Sequence, residues 1–164
     1  MYQGNQFANT PPPDSAWYRG VIARIDTLKA GMGKKDIKRF KLDYLPKLAV
    51  RIDGFSAYCP DCQTHRGEIT ELLKTPDKPE PVTKAELKAY TKKLDAITEH
   101  LKKTHKLVTE EQYMILATAI GPGLGIAIGA ITDNTGIGIG IGVALGTGIG
   151  WLLDRKAKKE GRII

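Results

Sequence analysis

The chain has 164 residues, 25 Lys and Arg against 18 Asp and Glu, and two cysteines, Cys59 and Cys62. Residues 114–153 hold one charged side chain, Asp133, while the preceding 113 residues carry 20 Lys and Arg against 15 Asp and Glu. So mild a basic bias over a hundred residues is more often solvation than a nucleic-acid footprint.

The first fifteen residues lack a basic stretch followed by an apolar one, so no secretory leader is read there and the thiols are expected to stay reduced in the cytoplasm. Residues 1–13, ending Pro11-Pro12-Pro13, read as a flexible tail. Asp14 or Ser15 then caps a helix with Trp17, Val21, Ile22, Ile25 and Leu28 on one face, closed by Gly31 and Gly33. A second helix is expected over 34–44, stopped by Pro46. Trp17 and Phe40 read as core residues.

The stretch LAVRI-DG-FSAYC places two apolar runs around Asp53-Gly54, the preferred dipeptide of a two-residue β-turn, and reads as a β-hairpin. After a proline-rich connector at 75–81, Thr83 and Glu86 have the spacing of a capping box. The long helix that follows carries Leu87, Tyr90, Leu94, Ile97 and Leu101 on one face, to pack on the hairpin. The fold class expected for residues 14–108 is therefore α+β, a small helical and β-hairpin domain.

Cys59-x2-Cys62 is followed after 37 residues by His100-x4-His105. A two-residue gap lets two thiolates face one ion, and a His pair near a helix end supplies two imidazoles. The order of hairpin, Cys pair, helix and His pair resembles a Cys2His2 zinc finger, with an interval about three times the usual dozen residues. That resemblance implies a structural Zn2+ held by Cys59, Cys62, His100 and His105, with the THRGEITELLK stretch filling the interval. His65 is an alternative ligand, through Cys59-x2-Cys62-x2-His65. Two further readings stay open: a redox pair, although no βαβ thioredoxin pattern surrounds it, and unligated thiols with the histidines as helix-end cations.

Residues 109–153 are read as a transmembrane hairpin. The segments 113–132 and 135–153 each span roughly 30 Å as helices, the thickness of a bilayer core, joined by Asp133-Asn134. Thr109 and the acids after it look like a helix start, and Pro122 is a candidate kink. Gly121, Gly125 and Gly129 share one face of the first helix; Gly138, Gly142, Gly146 and Gly150 share one face of the second. Such small-xxx-small rows allow backbones in lipid to approach closely.

IGPGLGIAIGA and GIGIGIGVALGTGIG resemble the glycine-zipper segments of small bacterial membrane proteins, over residues 113–153 only. They are also similar to the glycine-rich helix of rotary ATPase ring subunits, but the mid-helix carboxylate of that family has no counterpart here. The second segment has another small-residue row, Gly136, Gly140, Ala144 and Gly148, so one face is expected to meet the hairpin partner and the other a neighbouring molecule. The resemblance implies a bacterial inner membrane.

Lys102, Lys103 and Lys106 precede the spans, and the basic tail 154–164 follows them, so both termini are expected in the cytoplasm, with Tyr113 and Trp151 near that interface. The function expected is a non-enzymatic membrane-anchored adaptor or assembly protein. Its partners would be the lipid bilayer and copies of itself or other membrane proteins; no small-molecule substrate is evident. A pore-forming oligomer is the first alternative, although Thr118, Thr132 and Thr147 are too isolated to line a wet channel. A membrane-tethered nucleic-acid-binding finger is the second, weakened by a lysine-only helix face without arginine for bidentate base contacts. No phosphate-binding loop or nucleophile–His–acid arrangement suggests an enzyme.

Overall fold

The computed structural model describes residues 15–77, 81–131 and 133–164. The 1–13 tail, Asp14, the middle of the proline-rich connector and Thr132 lie outside the described residues. The chain divides into two units, which include residues 15–106 and 107–164 respectively.

Among the described residues there are seven helices and no strand; the only extended pairing is an isolated bridge between Val108 and Ile163. The α+β expectation is thus corrected to an all-helical fold. The segment read as a β-hairpin is a helix, Leu45–Ser56. Leu45, Leu48, Ala49, Ile52 and Phe55 lie three and four apart, which is helical spacing, and all five are buried. Pro46 sits in the first turn, where its missing N–H has no intrahelical partner to lose, so it opens this helix as well as excluding the previous one. Asp53 makes no turn. It is 8% exposed, accepts a hydrogen bond from Ser15 Oγ at 2.6 Å and lies 3.5 Å from Arg66 Nε.

In the first unit α1 (Ala16–Gly31), α2 (Lys34–Arg39), α3 (Leu45–Ser56), α4 (Pro60–Leu72) and α5 (Lys84–His105) follow in order, and α3 packs on α1, α4 and α5. Ser15 caps α1 by accepting the Tyr18 N–H at 3.0 Å. Val21, Ile25 and Leu28 face the core, whereas Trp17 is half-buried: its Nε1 donates to Thr70 Oγ1 at 3.2 Å and the Arg66 guanidinium lies 4.8 Å from its ring. The helix expected over 34–44 is shorter. It ends at Arg39 because Lys41 adopts a left-handed conformation, φ 49°, and the Leu42 N–H reaches back to the Ile37 carbonyl at 3.0 Å. Phe40 is buried and edge-on to Tyr90, whose hydroxyl donates to the Phe40 carbonyl at 2.6 Å. Thr83 and Glu86 form the capping box of α5, and Tyr90, Leu94, Ile97 and Leu101 are buried along it.

The second unit is a helical hairpin, α6 (Gln112–Ile131) and α7 (Thr135–Lys159). Its connector satisfies both helix ends. Asp133 takes the left-handed conformation that closes α6, and the Asn134 side chain accepts the Ile137 N–H at 3.2 Å to cap α7. At the other end Thr109 is not the cap expected of it. The first-turn amides of Tyr113 and Met114 donate to the two carboxylate oxygens of Asp154, at 3.1 and 2.9 Å, so α6 is capped from α7. Pro122 is accommodated within α6. Beyond Leu153 the chain does not become an irregular tail: α7 continues to Lys159, and the Ile164 N–H then donates to Val108.

The two helices touch through their backbones. A Cβ on Gly121 would stand 2.6 Å from the Gly142 carbonyl oxygen, one on Gly125 2.5 Å from that of Gly138, and one on Gly146 2.6 Å from that of Ala117. Gly129, Gly138, Gly142 and Gly150 are equally hemmed in by the facing backbone, whereas Gly140 and Gly148 face open space. With glycine inside, the large side chains point outward: of the sixteen large apolar side chains exposed among the described residues, fifteen lie on α6 and α7. Gly142→Ala should therefore lower the unfolding free energy of the hairpin in detergent micelles by about 1–3 kcal/mol through overpacking. Gly148→Ala should leave it unchanged or raise it, by up to about 1 kcal/mol of helix propensity. Equal effects would contradict the contact geometry.

Candidate metal centre

The centre forms where α3, α4 and α5 end or begin. The last turn of α3 delivers the chain into Cys59, whose N–H donates to the Phe55 carbonyl at 2.9 Å. Cys59 is the N-cap of α4 and Pro60 its first residue, a position that suits proline. Cys62, three residues on, lies above the cap as the partner residue of a capping box does, so one turn brings both sulfurs to the same side. His100 and His105 come from the last two turns of α5.

The ligand atoms of Cys59, Cys62, His100 and His105 all lie within 4.8 Å of one another. Cys59 Sγ and Cys62 Sγ are each 3.4 Å from His100 Nε2, and Cys62 Sγ is 3.2 Å from His105 Nε2. A tetrahedron built with metal–sulfur bonds of about 2.3 Å and metal–nitrogen bonds of about 2.0 Å has edges of roughly 3.3–3.8 Å. The four residues could hold a metal ion with little movement. Both cysteines are free and buried.

Neighbouring side chains orient the ligands. His100 turns Nε2 inward; its Nδ1 faces Thr104 Oγ1 at 3.4 Å and the Asp61 carboxylate at 3.8 Å. A polar partner on the second ring nitrogen fixes the tautomer and orientation of a ligating histidine. The His105 ring is stacked on Phe55, with centroids 3.8 Å apart and planes 14° from parallel. His65 stands outside the cluster. Its Nδ1 is 2.6 Å from Glu68 Oε2, and its ring meets His100 edge-on at 4.9 Å.

No protein-family model, curated protein or solved structure matches this chain. What the centre can do is therefore read from its own atoms. The zinc-finger likeness stops at the donor set, because α3 replaces the hairpin and the Cys pair opens a helix. The interval expected to hold an extra element holds α4.

Burial, then the Cys59 thiol and the nearby Asp61, push the Cys62 thiol up out of its ordinary range. Burial and then His100 lower His105 to about 4, and burial and then His65 lower His100, opposed by Asp61. Each shift favours the uncharged ligand. A bound cation would reverse the balance at the thiols, drawing protons off them, while the histidines are already neutral.

The sequence did not point to Asp61, Thr104 or Phe55. Asp61 had a usable signal, lying between the two cysteines; Phe55 and Thr104 had none before the helices were placed.

The histidine shifts fix how the metal-free protein responds to acid. Above about pH 6.5 the folded and unfolded chains both carry neutral His105. Between there and about pH 4 only the unfolded chain takes up the proton, so stability falls as pH falls through that window. Urea midpoints of metal-free protein should drop between pH 7 and pH 5, and His105→Gln should flatten the dependence. A midpoint that rises over this range would reverse the assigned direction.

Proposed function

We propose that the chain is a non-enzymatic, membrane-anchored protein in which the 107–164 hairpin sits in a lipid bilayer and the 15–106 unit is a zinc-stabilised interaction domain. One observation carries the anchor. Helices α6 and α7 are long and apolar enough to cross a membrane, and only 17% of each apolar window is buried. Their large side chains face outward and their glycines inward. Leaving fifteen such side chains in water forfeits about 1 kcal/mol each even at half exposure, on the order of the whole stability of a domain. Lipid removes that penalty, and in lipid the fully paired helical backbone is the required state.

The donor set supports zinc as the metal. Two thiolates and two imidazoles in tetrahedral reach suit Zn2+, and four protein ligands leave no position for a reacting water, so the role is structural. Thiolate–imidazole sets of this kind are closed sites whose metal binding adds directly to folding free energy. The bias of Arg155, Lys156, Lys158 and Lys159 toward one end, with only Asp133 in the connector, favours both termini on the cytoplasmic side. An adaptor or assembly role, toward other membrane proteins or further copies of the chain, fits a small metal-braced domain on a hairpin. The outward faces are apolar rather than polar, which fits a lipid contact better than a wet channel wall.

Two measurements test the two halves separately. Full-length protein should stay in the membrane pellet after washing with alkaline carbonate; release into the supernatant would refute the anchor. Protein purified in detergent should contain one zinc per chain, which Cys62→Ser should abolish and His65→Ala should leave in place. Wild-type protein that folds and contains no metal after expression with ample zinc would remove the structural-zinc reading.

A further inference from the structure

We infer that the charged end of α7 is a binding surface for anionic phospholipid headgroups, an inference that rests on the hairpin lying in a bilayer. Trp151, Arg155, Lys158 and Lys159 are spaced four, seven and eight residues apart from the first, which places them on one face of the helix. All four are exposed, and the Arg155 guanidinium lies 5.2 Å from the Trp151 ring.

Four acidic side chains belong to this end of the hairpin: Glu110, Glu111, Asp154 and Glu160. Asp154 is taken up by the Tyr113 and Met114 amides. Glu160 pairs with Arg162 at 2.6 Å and approaches Lys156 at 4.0 Å. Arg155, Lys158 and Lys159 make no ion pair with any described carboxylate, so three cations on one face are left for an external anion.

Their position selects the partner. The surface begins at the last apolar turn of a span, where an indole ring sits at the level of lipid headgroups. The next two turns carry the cations, at the depth of phosphate groups. A guanidinium and two ammonium groups match phosphate monoanions, and basic residues beside a span attract anionic lipid at about 1 kcal/mol each, a factor of about five.

The chain has two tryptophans, Trp17 and Trp151, so full-length protein carrying Trp17→Phe reports from Trp151 alone. Reconstituted in mixed bilayers, this protein should show Trp151 fluorescence quenched more strongly by brominated phosphatidylglycerol than by brominated phosphatidylcholine. The relative association should favour the anionic lipid about fivefold or more. Combined Arg155→Gln, Lys158→Gln and Lys159→Gln substitutions should bring that ratio close to one, while Arg155→Lys with Lys158→Arg and Lys159→Arg should retain it. Equal quenching by the two lipids in the unaltered surface would overturn the headgroup site and leave the anchor standing. No quenching by either lipid would overturn both.

Discussion

Backbone contact between α6 and α7 is the constraint from which the character of the second unit follows. Where carbonyl oxygens of one helix meet Cα atoms of the other, the contact positions carry hydrogen or, at Ala117, a single methyl group. That requirement places glycine at 121, 125 and 129 on α6 and at 138, 142, 146 and 150 on α7, with the small Ala117 continuing the α6 row. The isoleucines and leucines between those glycines then have nowhere to go but out. A water-soluble hairpin of this length would do the reverse, burying branched side chains and exposing small or polar ones. The packing rule and the proposed solvent are therefore two views of the same distribution of side-chain volume.

The first unit solves a different problem. Five helices in a unit that ends at Lys106 have limited apolar area to bury, and their ends leave amides and carbonyls that need partners. Several side chains do both jobs. Ser15 caps α1 and hydrogen-bonds Asp53, so the start of one helix is tied to the interior of another. Tyr90 fills the core and returns its hydroxyl to the Phe40 carbonyl where α2 ends. The four-residue cluster of cysteines and histidines extends this pattern, joining the start of α4 to the end of α5 beside the last turn of α3. An ion there would fasten α4 to α5, with α3 held against the joint by the stack of Phe55 on His105.

How far these features could be read from the sequence depends on whether the signal was local. The α5 capping box and the apolar row behind it are local, and the Thr83 and Glu86 contacts match the spacing. The cluster of Cys59, Cys62, His100 and His105 was legible because CxxC and a helix-end His pair restrict the chemistry whatever the fold. The α3 segment was not, because Asp53-Gly54 carries a strong turn signal while the helical spacing of Leu45, Leu48, Ala49, Ile52 and Phe55 runs straight through it. Periodicity over the whole segment outweighed a dipeptide preference, and the aspartate was recruited to the interior by partners 38 and 13 residues away, Ser15 and Arg66. Asp154 was missed for the same reason. Its role depends on a partner helix, and nothing in its neighbours reveals that it finishes another helix.

That arrangement bears on how the hairpin is made. During synthesis the opening turn of α6 emerges first, and the carboxylate that accepts its Tyr113 amide lies 41 residues later. Until residue 154 has been made, those two N–H groups lack the carboxylate that accepts them in the finished hairpin. If the hairpin sits in a bilayer as proposed, that dependence would favour the two helices entering together as one loop rather than one after the other.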